Sequence, residues 1–259
     1  ESIVRERVQE SLDEHDLPGA TVGVVTDGTV TMADGFGVAD RDTQTPVEAT
    51  TPFRIGSVSK PVVWTAVSRL VERGDLDLET PVSTYLDDEY VSWDDPVTLA
   101  DLATHSAGFE STNQGMWYAD LDDVGSLTDH LYPMPAQVRS PGTVGSYANH
   151  GPALAGHVVE AVTGMSFAAA MDDLLLDPAG MSQSSFHQPP DPALLDAHAS
   201  AHGSRSAIDG KFAGLGIAPA GALSASAKDM ARFMQLHVNG GRVDGEQVVS
   251  ANALEGMHQ

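Results

Sequence analysis

Cysteine is absent from the 259 residues. That excludes disulfides and thiol catalysis and leaves the compartment open. Lysine is nearly absent too: Lys60, Lys211 and Lys228 are all there are, and arginine supplies the rest of the 13 cationic side chains. Against them stand 37 acidic residues, for a net charge of −24. A chain so negative repels phosphate backbones, so nucleic acid is not expected as a partner. No apolar run reaches the roughly 18 residues that span a bilayer, so no membrane-spanning helix is expected. Three catalytic or binding signatures are missing as well: the Gly-x-Ser-x-Gly turn, the Gly-x-x-x-x-Gly-Lys phosphate loop and the His-Glu-x-x-His zinc helix.

With 41% hydrophobic residues the chain has enough apolar material for a folded core. Its length suits one large domain or two lobes. The acids form short clusters, such as Asp87-Asp88-Glu89 and Asp94-Asp95, and not a tail. This pattern resembles proteins from high-salt cells, where screening suppresses self-repulsion.

The chain is organised around Phe53-Arg54-Ile55-Gly56-Ser57-Val58-Ser59-Lys60 and the segment that runs on to Gly74. Val58, Val62, Val63, Ala66, Val67, Leu70 and Val71 recur at helical spacing and define one apolar face. Pro61 fits a first turn and Gly74 a helix stop. Ser57 then falls at a helix N-terminus with Lys60 three residues on, on the same side. A serine hydroxyl needs a base to become a nucleophile, and a lysine can be that base. The positive end of the helix favours the charge that develops. The alternative is a capping serine followed by a surface lysine.

Residues 2–16 read as a helix ended by Pro18-Gly19, and Asp27-Gly28 as a hairpin turn between strands 20–26 and 29–33. Gly35-Phe36-Gly37-Val38 reads as a looser strand whose glycines predict a bulge. Residues 75–97 and 110–125 read as irregular. Short helices are expected from Thr98 to Ala103 and near 126–132. Longer ones cover 150–163, 166–176 and 226–237, and a last one begins at Ser250. Strands are scarce and sit near the N-terminus, which predicts a small sheet cut off before strands that complete it.

Tyr147-Ala148-Asn149 puts a phenol and an amide at the entrance of the 150–163 helix. The phenol can shuttle a proton when cations lower its pKa, and the amide can orient a substrate. The alternative is a packing tyrosine and a capping asparagine. His198 and His202 have a helix-face metal spacing but lack the glutamate of the zinc motif, and Asp120, Asp122 and Gly125 imitate a calcium loop whose later ligand positions are Val124 and Leu131. No metal and no cofactor is expected.

Taken together these stretches resemble the serine β-lactamase-like family of class C β-lactamases, D-Ala-D-Ala peptidases and related esterases. The segment 53–60 is similar to its nucleophile segment. Leu102-Ala103-Thr104-His105-Ser106-Ala107-Gly108-Phe109 is similar to its Leu-Leu-Thr-His-Thr-Ser-Gly-Leu stretch, and 141–164 to its Tyr-x-Asn loop and following helix. Pro219-Ala220-Gly221-Ala222-Leu223-Ser224 and Asp229-Met230-Ala231-Arg232-Phe233 are similar to its later glycine turn and helix. The resemblance implies an α+β fold, with 1–74 as a sheet lobe carrying the nucleophile helix and 75–259 as a mostly helical lobe. It implies Ser57 as acylated nucleophile, Lys60 as base or relay, Tyr147 as general acid or base and Asn149 as substrate-orienting amide. The implied substrate is a small ester, amide or β-lactam, with esterase or peptidase-like action favoured and an extracytoplasmic setting. A penicillin-binding-like protein without turnover is the alternative. One departure stands out: the family's third motif, Lys-Thr-Gly or His-x-Gly on a late strand, occurs nowhere in this sequence.

Overall fold

A computed structural model describes residues 1–91, 93–112, 116–201 and 212–258. Helix α1 (Ser2–His15) leads into β1 (Gly19–Thr26) and β2 (Thr29–Asp40), an antiparallel hairpin in which Thr26 faces Thr29. At the turn Asp27 has φ 51° and Gly28 φ 74°. Two left-handed residues are what a two-residue turn needs to match the twist of its strands. β3 (Thr45–Pro46) joins the far edge of β2. The bulge expected at Gly35–Gly37 is not there. The register slips between Val24 and Val25 and again between Val38 and Asp40. The glycines instead permit close approach: a Cβ on Gly35 would strike the Val47 carbonyl, and one on Gly37 the Pro18 carbonyl.

β4 (Phe53–Arg54) is followed by a 3₁₀ turn, Gly56–Val58, that runs straight into α2 (Ser59–Arg73). Gly74, in the left-handed conformation, ends it. Val62, Val63, Ala66, Val67 and Leu70 are buried, as their spacing predicts. Val58 is not: it is 52% exposed. The tighter 3₁₀ turn takes it out of phase with the α-helical stripe.

The next helices begin where capping chemistry places them. Thr98 and Asp101 form a reciprocal capping box on α3 (Leu99–Ala103). β5 (Trp117–Tyr118) follows, and Ser126 with Asp129 repeats the box on α4 (Leu127–Leu131). α5 (His150–Thr163) is buried from His150 through Val159 and packs against α2, α3 and α4. α6 (Phe167–Met171), capped by Ser166, continues as a π-helical turn to Leu176. Among the described residues no single helix is long and apolar enough to cross a membrane.

After α7 (Pro192–Asp196) the chain makes two short strands that sequence patterning does not show. β6 (Gly214–Leu215) pairs with β5, inside a stretch read as polar loop. β7 (Ser224–Ala225) pairs with β4. α8 (Ala227–Val238), capped by Ser226, lies across β1 and β2. A hairpin of β8 (Arg242–Val243) and β9 (Glu246–Gln247) precedes α9 (Ala251–Met257), which packs on α2. The sheet needs an apolar cover on one face. α8 supplies it, with Ala231 and Met234 lying over Gly23 of β1.

His237 joins α8 to α2 and the chain's last helix. Its Nε2 lies 3.1 Å from Thr65 Oγ1 and its Nδ1 3.1 Å from His258 Nε2. Burial first, and the charge of His258 second, push its pKa down to about 4 from the usual 6.5. The fold therefore prefers the neutral ring. Its stabilising effect is complete above about pH 6.5 and is lost as pH falls towards 4, because the unfolded chain then binds the extra proton. Between pH 7 and pH 4.5 the melting temperature of the wild type should fall further than that of His237→Gln. Parallel melting curves across that range would dismiss this role.

Candidate active site

Ser57 stands in the 3₁₀ turn ahead of α2, exposed at the mouth of a cleft. It is not a helix cap: Val58 holds that position and no side chain caps α2. Its hydroxyl is engaged elsewhere. Lys60 Nζ donates to Ser57 Oγ at 2.9 Å, and Tyr147 OH lies 2.7 Å from the same oxygen. Lys60 is buried, with 6% of its surface exposed, and its ammonium also donates to the Ala220 carbonyl at 2.6 Å. The alternative of a surface lysine is thereby excluded.

Tyr147 comes from the loop before α5, and residues 105–106 grip that loop. His105 has a left-handed backbone, φ 55°. Its carbonyl accepts from Ser146 N–H at 2.7 Å and its Nδ1 from Ala148 N–H at 3.3 Å. Its ring lies 4.5 Å from that of Tyr147, centroid to centroid. Partial burial pushes the Tyr147 phenol up, but its hydrogen bonds with Lys60 and Ser57 and the charge of Lys60 outweigh this and hold it below the ordinary tyrosine value. Burial, and then the Lys60 charge, depress His105, so this partner favours its neutral form. Sequence reasoning named His105 only within the 102–109 stretch and gave it no role at the site. Asn149 lines the cleft, and its side chain does not cap α5.

The opposite wall is the segment 213–222, which contributes Leu215, Ala220 and Gly221 to the cleft. A side-chain clamp holds it. The Arg54 guanidinium donates to the Ala222 carbonyl, to the Ala213 carbonyl at 2.8 Å and to Gln188 Oε1 at 2.8 Å. Gln188 in turn bonds both backbone groups of Leu215, accepting from its N–H at 2.8 Å and donating to its carbonyl at 3.0 Å. The Phe212 ring covers the guanidinium at 4.2 Å. Burial lowers Arg54 to about 10. Nothing in residue type alone marks Arg54 and Gln188 as partners; only the place of Arg54 three residues before Ser57 hinted at a role.

The cleft between these walls has a volume of about 310 Å³. Among the described residues no group of three histidine or acidic side chains could hold a metal. His198 bonds the Ser224 hydroxyl at 3.1 Å and the Ala199 carbonyl at 2.7 Å, and His202 lies outside the described residues. Asp120 accepts from the Asp122 N–H at the start of a 3₁₀ turn.

The family model described as Beta-lactamase matches residues 4–258. The chain belongs to the Beta-lactamase family. Among curated relatives, esterase EstB of Burkholderia gladioli is 33% identical over 68% of this chain and 49% of its own length. Penicillin-binding protein 4 of Amycolatopsis lactamdurans is 31% identical over 98% of this chain and 68% of its own. Among solved structures, a class C β-lactamase from Rhodobacter sphaeroides superposes with a TM-score of 0.75 at 28% identity, covering 95% of this chain and 67% of that one. The fold is therefore the β-lactamase-like α+β architecture expected from the motifs, and the chain spans about half the length of the esterase it matches.

Removing the clamp in this family member should loosen the wall. Arg54→Met leaves two buried carbonyls without their donor and should cost about 2–4 kcal/mol in unfolding free energy. Arg54→Lys should recover less than half, because one ammonium cannot replace a planar fork that serves three acceptors. Denaturant titration checks both variants; near-wild-type stability of Arg54→Lys would count against the clamp.

Proposed function

We propose that this protein is a serine hydrolase that forms an acyl-enzyme on Ser57 with an ester, amide or β-lactam substrate, with esterase or peptidase-like action favoured. One observation carries the reading: Ser57 Oγ lies between Lys60 Nζ at 2.9 Å and Tyr147 OH at 2.7 Å. A nucleophile within hydrogen-bond reach of two groups able to move its proton is the arrangement that covalent catalysis requires. The names of the relatives, among them an esterase, a penicillin-binding protein and a β-lactamase, support it.

In this reading Ser57 Oγ bonds the substrate's carbonyl carbon while its proton passes to the Lys60–Tyr147 pair. Tyr147 returns a proton to the leaving alcohol or amine as that bond breaks. A water molecule then attacks the acyl-enzyme, giving up one proton to the same pair, and Ser57 takes a proton back as the acid leaves. The net reaction consumes one water. The Ser57 N–H, next to the positive end of α2, faces the developing oxyanion. Asn149 orients the acyl group from the cleft wall.

Lys60→Arg separates this reading from a structural one. A guanidinium keeps its proton, since its pKa stays above about 12. The variant should form no covalent adduct at Ser57 with an activated ester or a fluorophosphonate, read by intact mass, and charge and fold should be retained. Tyr147→Phe should lower turnover by about two to four orders of magnitude. Wild-type labelling of Lys60→Arg would remove Lys60 from the mechanism. The second reading is a penicillin-binding-like protein without turnover; an unlabelled wild-type Ser57 would decide for it.

The charge of −24 also supports an origin in a high-salt setting. Screening should then raise the melting temperature steadily as salt is added towards molar concentrations. A flat or falling series would dismiss that origin.

A further inference from the structure

The β5–β6 ribbon forms one side of the cleft, and its two faces differ. Trp117 and Leu215 are directly opposed partners, so their side chains share one face. Both line the cleft beside Ser57. The other face carries Tyr118 opposite Gly214, with Gly216 next along, whose N–H bonds the Met116 carbonyl at 2.9 Å. These glycines have no room for a side chain. A Cβ on Gly214 would collide with Val124 and one on Gly216 with the His130 ring. Tyr118 OH is bonded to His130 Nδ1 at 2.9 Å on the same side. The ribbon is thus pressed flat against its support, and that packing turns Trp117 and Leu215 to the cleft. Leu215 is buried at the base of this wall, while Trp117 is 54% exposed at its rim. A half-exposed indole beside a nucleophile offers a large apolar face to a ligand.

Charge points the same way. Among the described residues, none of the side chains that line the cleft is ionised. Two cations that hold the site are already committed: Lys60 to Ser57 and Ala220, Arg54 to two carbonyls and Gln188. Just beyond the ribbon, Asp120, Asp122 and Asp123 are exposed, on a protein of net charge −24. A substrate carboxylate would meet repulsion from these acids and find no cation among the described residues that line the cleft.

The geometry points to Trp117 and Leu215 as a binding surface for an uncharged, apolar acyl group, which makes neutral alkyl or aryl esters the preferred substrates over carboxylate-bearing ones. This rests on the acyl-enzyme reading of Ser57 for its catalytic consequences, and the wall itself can be tested without turnover.

The experiment has a kinetic and an equilibrium arm. In the first, the protein is assayed with 4-nitrophenyl acetate, butyrate and hexanoate and with the anionic 4-nitrophenyl hydrogen glutarate. kcat/KM should rise about tenfold from acetate to butyrate, since each buried methylene contributes a factor of roughly three to four, and rise again at hexanoate. The glutarate should fall at least tenfold below the butyrate. Trp117→Ala should flatten the chain-length series, with a larger loss on hexanoate than on acetate, and Trp117→Phe, which keeps an aromatic face, should restore most of the slope. In the second arm, calorimetry measures binding of methyl acetate, butyrate and hexanoate to Ser57→Ala, which cannot be acylated. Affinity should follow chain length there as well, and Trp117→Ala in that background should abolish the trend. Turnover with a flat series, or an equal loss on every ester in Trp117→Ala, overturns the wall and leaves the catalytic reading intact. No turnover with chain-length-dependent binding supports the wall and rejects the catalytic reading. Binding independent of chain length overturns the wall whatever the turnover.

Discussion

A buried ammonium must have acceptors, and the site is built around meeting that demand for Lys60. Its charge is almost wholly withdrawn from water, a transfer that is prohibitive unless hydrogen bonds replace the hydration shell. One acceptor, Ser57 Oγ, is three residues away on the same helical turn. The other, the Ala220 carbonyl, must be delivered from the far end of the chain. Helix α2 and the 213–222 wall therefore depend on each other. Helix α2 cannot bury its lysine without the wall, and the wall is positioned by the strand that leads into that helix.

The positioning is done by several small devices in series. β4 pairs with β7, Ile55 N–H reaches the Leu223 carbonyl, and Leu223 N–H reaches Ser59 Oγ. Arg54 and Gln188 hold the middle of the wall through its backbone. The opposite side of the cleft works otherwise. There Tyr147 is half exposed on a loop, held by the His105 ring packed against it and by one hydrogen bond to His105 from the N–H on each side of it. One side is thus tied through main-chain groups, while the other presents a phenol hydrogen-bonded with Ser57 Oγ. The scarcity of cations gives this arrangement a further meaning. In a chain so acidic, two of 13 positive side chains are withdrawn from the surface to hold the site together, leaving the exterior still more negative.

Much of the framework can be read in the residues because its determinants are local. Helix ends at Thr98, Ser126, Ser166, Ser226 and Ser250 follow from hydroxyl caps, and those at Gly74 and Gly164 from left-handed glycines. The hairpin at Asp27-Gly28 follows from the same kind of local rule, and the burial of Val62 through Leu70 from helical periodicity. Ser57 and Lys60 could be paired because a helix brings i and i+3 together whatever the rest of the chain does. Tyr147 and Asn149 were nameable through the resemblance, not through their spacing.

What tertiary structure alone decided has a common physical cause. Strands of two residues, such as Trp117–Tyr118 with Gly214–Leu215, have no periodicity of their own and exist only because a distant partner fixes them. α8 joined the sheet because the sheet lacked a cover, a fact about the whole chain and not about residues 227–238. Val58 left its apolar stripe because the turn before α2 tightened, and His105 became a support for Tyr147 by packing alone. Above all, the second acceptor of Lys60 is a backbone carbonyl. Every residue carries one, so no side-chain letter could announce that Ala220 would be the one to accept the hydrogen bond.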